Sequence, residues 1–231
     1  MRILVTGTGR GGTTLLREVV VGLEIAKYYC NGPQKEEDRH FFFYDELPAS
    51  YLAKLASPTK GFNVNNFIKL MRKYSDLYIL FSIRHPVDTC MSKIVRGRKA
   101  SEGGDKYWES VAVDGTVKGA VQAVREFHLV HDVLTELYPA RTLTVRMEEL
   151  ILHPRQEVER VARFFNTEVT GKALKFYERN TNRYQFRRYG TVLDRTQVGL
   201  YKRWETVFDG YFKDKEKDIE LLKEAFKEWC E

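Results

Sequence analysis

A glycine-rich turn close to the start of the chain constrains the fold more than any other feature. Residues 7–14 read GTGRGGTT, after the β-branched run RILVT and before the apolar stretch LLREVV. This order predicts a strand, a tight loop and a helix, with the loop N–H groups gathered at the helix N-terminus. Glycine lets the backbone approach an anion closely, and Thr13 and Thr14 add hydroxyl donors. The turn therefore predicts a phosphate-binding site.

The spacing of Gly7, Gly12 and Thr14 copies a nucleoside-triphosphate P-loop, but Thr13 stands where that motif has its lysine. The cation within the turn is Arg10. A triphosphate site also uses an aspartate after a later strand to help hold Mg²⁺, whereas the apolar run 78–83 ends in Arg84. These departures favour a phosphate bound without a metal. The alternative is a turn that merely joins a strand to a helix.

Composition limits the remaining possibilities. The 231 residues fit one α/β domain spanning 1–231, and the net charge of +6 with a pI near 9.1 favours an anionic partner without choosing among nucleotide, acidic acceptor and nucleic acid. Cys30, Cys90 and Cys230 show neither disulfide nor zinc spacing. We find no signal peptide and no apolar run of membrane-spanning length, so we expect a cytoplasmic protein without a membrane anchor.

The chain pattern predicts an α/β, P-loop-type three-layer sandwich, with a central, mostly parallel sheet and helices on both faces. We expect a buried strand over 77–83, followed by a helix that begins at Pro86. Arg84 and Ser92 then meet at the carboxyl end of that strand, where open α/β sheets bind ligands. We also predict a short strand over 28–30, a helix over 45–56, a short strand over 57–63 and a helix capped by Asn65.

Two segments together resemble the sulfotransferases that use 3′-phosphoadenosine 5′-phosphosulfate (PAPS). The turn from Arg10 through Gly11, Gly12 and Thr13 to Thr14 is similar to their 5′-phosphosulfate loop, R-S-G-T-T. The stretch from Arg84 to Ser92, RHPVDTCMS, is similar to their 3′-phosphate motif. The resemblance implies that the first segment holds the phosphosulfate and the second the 3′-phosphate.

Further segments extend the resemblance over most of the chain. Lys60 resembles the lysine that meets the bridging oxygen of the donor, and the stretch containing Thr196 and Lys202 resembles the C-terminal segment that closes over the nucleotide. Glu37 lies in the sequence EEDR, which resembles a stretch of the tyrosylprotein sulfotransferases whose second glutamate is the general base. Glu36, Asp38 and His40 stay open for that role, and the loop 35–44 is expected to line the acceptor pocket.

The resemblance implies a PAPS-dependent sulfotransferase that works without a metal and releases adenosine 3′,5′-bisphosphate (PAP). Arg10 and Lys60 would stabilise the leaving phosphate, and Glu37 would take the proton of a hydroxyl or amine acceptor. Its rivals are a divergent P-loop kinase or NTPase and a non-catalytic protein that binds a nucleotide or nucleic acid. A nucleic-acid partner is disfavoured. The acceptor, whether small molecule, carbohydrate or peptide, and the oligomeric state stay open.

Overall fold

Four parallel strands form the centre of the part of the chain that the structure describes. The computed structural model describes residues 1–26, 41–43, 45–103, 115–179 and 193–230. The strands are β1 (Arg2–Thr8), β2 (Tyr51–Ser57), β3 (Leu77–Ile83) and β4 (Thr142–Arg146), in the order β2-β1-β3-β4. Because β2 and β3 lie on opposite sides of β1, the winding of the chain reverses between β1 and β3. In open α/β sheets such a reversal opens a crevice at the carboxyl edge, where ligands bind.

Helices cover both faces of this sheet. One face packs against α1 (Thr13–Leu23), α5 (Met147–Leu152), α6 (Pro154–Phe164) and α7 (Gly171–Leu174). The other packs against α2 (Val64–Lys73) and α4 (Val117–Leu137). Beside them, α3 (Pro86–Gly103) and α8 (Glu216–Ala225) share a further apolar cluster with α4. The predicted three-layer fold is confirmed.

The apolar side chains on both faces of β1 explain why it lies in a parallel sheet between two layers of helices. Ile3 and Val5 pack into the cluster on the α1 side, Leu4 packs into the cluster on the α2 side, and all three are fully buried. A strand that is apolar on both faces is typical of a parallel sheet covered by helices. The loop after β1 therefore follows a buried central strand.

The helix predicted over 45–56 is wrong, because β2 occupies Tyr51–Ser57. Its sequence, YLAKLAS, consists largely of good helix formers, so local propensity favours the wrong element. Parallel pairing with the whole of β1, from Arg2 opposite Tyr51 to Thr8 opposite Ser57, outweighs that preference. The strand predicted over 57–63 is also wrong, since a turn with a cis Ser57–Pro58 bond follows β2.

The other predicted elements fare better. Strand 77–83 and the helix that begins at Pro86 are confirmed. The cap of α2 is Asn63 instead of Asn65, because the Asn63 side chain accepts the N–H of Asn66 at 3.0 Å. The strand predicted over 28–30 lies outside the described residues. Within the described part of the chain, every helix is too short or too polar to cross a membrane.

Candidate active site

The loop between β1 and α1 lies at the carboxyl edge of the sheet. Hydrogen bonds fix its backbone: the Gly9 N–H donates to Ser57 O at 2.8 Å, and the Ser82 hydroxyl donates to Gly11 O at 2.6 Å. Gly12 precedes α1 at φ 89°, a conformation that favours glycine. The first N–H groups of α1 point out of its N-terminus, and Gly12 has no side chain that could cap them, as an anion site requires.

Arg10 links the two predicted phosphate motifs. Its Nε donates to Ser92 Oγ at 3.0 Å, and its carbonyl accepts from Arg84 Nη1 at 3.3 Å. Arg84 and Ser92 are 4% and 3% exposed, so both polar side chains are held inside the protein next to the loop. The structure therefore brings Arg84 and Ser92 close to each other at the end of β3, as the sequence predicts.

A C-terminal segment, residues 194–204, closes this end of the sheet. Arg84 Nη2 donates to Gln197 O at 2.7 Å. Asp88, on the first turn of α3 and fully buried, accepts the backbone N–H groups of Leu200 at 2.9 Å and Tyr201 at 2.7 Å. Asp88 and Ser92 are four residues apart and therefore lie on the same face of α3, but this spacing alone does not reveal the role of Asp88. The Asp88 carboxylate holds the segment against the start of α3.

Thr196 and Lys202 both lie on this segment and are exposed. The segment is ordered locally by Asp194, whose side chain accepts the backbone N–H of Thr196 at 2.9 Å. Burial raises the pKa of the Asp194 carboxyl, but the hydrogen bonds from Thr196 and Gln197 and the charge of Arg203 outweigh it, and the pKa lies below its ordinary value. Asp194 is thus an anion that braces the turn carrying Thr196.

The structure describes only some of the residues that are expected to act at the bridging oxygen and on the acceptor. Lys60 is exposed on the turn that follows β2, at the same edge of the sheet as the loop. Glu36, Glu37, Asp38 and His40 lie outside the described residues, so their roles stay predictions. Within the loop 35–44, Phe41 is fully buried in the core and stacks on Tyr51 at 6.1 Å between ring centroids.

Two buried lysines near the loop were missed by sequence reasoning. Lys54, in the middle of β2, donates to Thr14 Oγ1 at 3.1 Å, so the second threonine of the turn is already engaged by a cation. Lys93 follows Ser92 on α3, and its Nζ lies 3.4 Å from Ser57 O. A lysine inside a buried parallel strand is a recognisable signal, but the stretch containing Lys54 was predicted to be a helix.

The described residues contain no group of His, Cys, Asp and Glu side chains arranged to hold a metal ion. Arg10, Arg84 and Lys93 instead bring positive charge to one edge of the sheet, beside the N-terminus of α1. Buried cations and helix N–H groups stabilise bound phosphate and the charge that develops on a leaving phosphate. The arrangement is therefore suited to binding a phosphorylated donor and to transferring a group from it.

A family model described as "Sulfotransferase family" matches residues 20–171, more than half of the chain. The match begins after the loop 7–14 and includes Arg84, Ser92 and Lys93. The loop itself lies outside the match, and its contacts with Arg84 and Ser92 connect it to the matched part of the chain. No curated protein matches the chain.

Solved structures share the fold over nearly all of the chain. The sulfotransferase domain of the Synechococcus PCC 7002 olefin synthase superposes with a TM-score of 0.62 at 13% identity, over 96% of this chain and 93% of that domain. The sulfotransferase domain of the curacin biosynthetic pathway gives 0.59 at 14%, over 98% and 97%. Mouse sulfotransferase SULT7A1, in complex with PAP, gives 0.58 at 17%, over 99% of this chain and 83% of its own.

Proposed function

The chain belongs to the sulfotransferase family, and we propose that it transfers a sulfuryl group from PAPS to a hydroxyl or amine acceptor. The observation that carries this proposal is the contact of Arg10 with both Ser92 and Arg84 at the carboxyl edge between β1 and β3. It joins a loop suited to a 5′-phosphosulfate to a buried arginine and serine suited to a 3′-phosphate. A donor with phosphate at both positions of one ribose needs that juxtaposition.

Each part of the site then has a role. The loop amides, Arg10, Gly11, Gly12, Thr13 and Thr14 hold the phosphosulfate, whereas Arg84 and Ser92 hold the 3′-phosphate. Thr196 and Lys202 lie on the segment that Arg84 and Asp88 hold in place, and they close over the nucleotide. Lys60 approaches the bridging oxygen from the turn after β2.

The reaction is an in-line displacement at sulfur. The acceptor oxygen or nitrogen forms a bond to sulfur while the bond from sulfur to the bridging phosphate oxygen breaks, and PAP leaves with the bonding electron pair. The acceptor proton passes to a carboxylate, which we assign to Glu37. Fixed cations and helix N–H groups stabilise the negative charge that develops on the leaving phosphate.

We expect an acceptor that carries a hydroxyl or amine group, and no nucleic-acid partner. A cytoplasmic location stays a prediction from the sequence. The same is true of the assignment of residues 1–231 to one domain.

We expect PAP to bind the purified protein in EDTA, because the proposed site uses side-chain cations and backbone amides. The Arg84→Ala variant should bind PAP roughly 10- to 100-fold more weakly, since a charged hydrogen-bond donor to the 3′-phosphate is lost. Arg155, whose side chain is 79% exposed on α6, provides the matched control Arg155→Ala, which should bind like the wild type. Calorimetric titration measures all three affinities.

The same titrations separate the rivals. Binding of ATP only with Mg²⁺, together with no binding of PAP, would contradict the proposal and favour a P-loop kinase. The Glu37→Gln variant should bind PAP normally while it consumes PAPS more slowly in the presence of hydroxyl and amine acceptors. Equal rates of PAPS consumption in Glu37→Gln and wild type would remove Glu37 as the base and leave Glu36, Asp38 and His40.

A further inference from the structure

Lys93 is a buried cation that the roles above leave without a function. It lies on the second turn of α3, directly after Ser92, and is only 5% exposed. An ammonium is almost never buried to this extent in a protein unless an anion or polar groups compensate its charge. Its neighbours therefore indicate what it is placed to do.

The Lys93 ammonium lies beside the loop that follows β1. Its Nζ is 3.4 Å from Ser57 O, the carbonyl that also accepts the Gly9 N–H at 2.8 Å. A Cβ built on Gly9 would lie 3.6 Å from the same Nζ. Gly9 immediately precedes Arg10, so the ammonium is at the edge of the candidate phosphosulfate loop, next to the end of β2.

Ser92 and Lys93 reach the loop at two successive residues. Ser92 Oγ accepts from Arg10 Nε, whereas Lys93 lies against Gly9. Consecutive side chains on a helix diverge by about 100°, so one turn of α3 supplies a hydroxyl to one side of the loop and an ammonium to the other. The acidic group on the preceding turn, Asp88, is directed to the N–H groups of Leu200 and Tyr201. The charge that α3 presents to this loop is therefore positive.

We propose that Lys93 is a catalytic residue that contacts the 5′-phosphosulfate end of the donor. This inference rests on the proposed function, and it adds a lysine from α3 to the groups assigned to that end. When the bond between sulfur and the bridging oxygen breaks, the electron pair stays on that oxygen, and the Lys93 ammonium stabilises the resulting phosphate. The sulfuryl group passes to the acceptor, the acceptor proton goes to the carboxylate base, and Lys93 keeps its own protons.

A truncated ligand tests this position without knowledge of the acceptor. PAP carries both phosphates, whereas adenosine 3′-monophosphate lacks the 5′-phosphate. Lys93→Met should weaken the binding of PAP by roughly 10- to 100-fold, the effect of losing one charged hydrogen-bond donor, and leave the affinity for adenosine 3′-monophosphate within about twofold. Arg84→Ala should weaken the binding of both ligands, because the Arg84 side chain is assigned to the 3′-phosphate, which both ligands carry.

Matched variants separate a direct contact from a structural role. Lys118, exposed on α4, gives the control Lys118→Met, which removes the same charge and should bind both ligands like the wild type. Lys93→Arg keeps the charge and should recover part of the affinity for PAP. Lys93→Gln, which keeps a polar end, is titrated in the same way if circular dichroism shows that Lys93→Met does not fold.

The outcomes distinguish this inference from the proposed function. A loss confined to PAP supports the assignment of Lys93. Equal losses for both ligands mean that Lys93 only supports the fold of the site, and no loss means that it does not reach the 5′ end; either result overturns the inference while PAP binding by the wild type leaves the proposed function standing. If the wild type binds no PAP, the proposed function itself fails.

Discussion

Arg10 shows how one residue connects two parts of the candidate site. Its backbone adopts φ 76°, an uncommon conformation for a residue with a side chain that costs about 1–2 kcal/mol. The contacts of its side chain with Ser92 and of its carbonyl with Arg84 offset that cost. Strain of this kind persists where the surroundings over-determine a conformation, often at a functional site. Arg10 is therefore positioned by Ser92 and Arg84 as well as by its own loop.

Among the glycines of the loop, Gly7 has the least room for a side chain. A Cβ at this position would lie 2.5 Å from Ser82 O and 2.8 Å from Thr13 Cγ2. Since a backbone oxygen in a central strand cannot move easily, Gly7→Ala should lower the free energy of unfolding by about 2–3 kcal/mol. Chemical denaturation of the wild type and the variant measures the difference.

Gly171 gives the matched control for this substitution. A Cβ built there meets no atom within 4 Å, so Gly171→Ala should change stability by less than about 0.5 kcal/mol. Equal effects of the two substitutions would show that β1 and β3 can separate enough to accept a methyl group.

At the scale of elements, α3 organises the site. Within two turns it directs Asp88 to the C-terminal segment, Ser92 to Arg10 and Lys93 to the end of β2. The helix begins two residues after Arg84, because Pro86 fits the first turn of a helix and β3 ends at Ile83. A shift of α3 would therefore alter both candidate phosphate sites and the C-terminal segment 194–204 together.

We expect Asp88→Asn to destabilise the protein by about 3 kcal/mol. The carboxylate accepts two backbone N–H groups in a fully buried position, and an asparagine amide would turn a donor towards one of them. Because Arg84 also bonds to this segment, PAP binding should weaken with stability. Thermal unfolding and calorimetry measure the two effects.

Asp214, exposed after the closing segment, provides the control Asp214→Asn, which should leave both quantities unchanged. An Asp88→Asn variant with wild-type stability and affinity would show that the segment stays in place without this carboxylate.

For the molecule as a whole, His128 connects α4 to the C-terminal end of the chain. Its ring lies 5.5 Å from that of Trp229, which also contacts His85 at 6.2 Å, beside Arg84. Burial lowers the pKa of His128 below 6.5, the charge of His131 lowers it further, and Asp132 and Glu228 oppose them. The folded protein therefore disfavours the protonated ring.

This depressed pKa predicts that stability decreases in mild acid. Below about pH 6.5 the unfolded chain protonates His128 more readily than the folded one does, so the free energy of unfolding falls until the pH reaches the lower, folded pKa. His128→Gln removes this contribution, and its Tm should fall less between pH 7.5 and pH 5.5 than that of the wild type.

The control is His153→Gln, since the His153 side chain is 54% exposed. Its Tm should depend on pH as that of the wild type does. A His128→Gln protein with an unchanged pH dependence would show that other groups account for the loss.

The local elements that carry the candidate phosphate sites were determined largely by the sequence alone. The glycine-rich turn, the strand that ends before Arg84 and the eight-residue spacing to Ser92 are local patterns, and each element they predict is present. They could be predicted because strand periodicity, glycine turns and proline at a helix start depend on residues that are close in the chain. Family membership, expected from these same motifs, is confirmed.

Only the tertiary structure decided the rest. The sequence of β2 favours a helix, and its pairing with β1 makes it a strand, because burial between two layers outweighs propensities of less than 1 kcal/mol per residue. The same pairing brings Ser57 O to the N–H of Gly9. Lys93, on α3, lies beside this contact and therefore beside the loop. Asp88 finds its partners more than a hundred residues further along the chain. Such contacts depend on which distant segments pack together, and no local pattern encodes that.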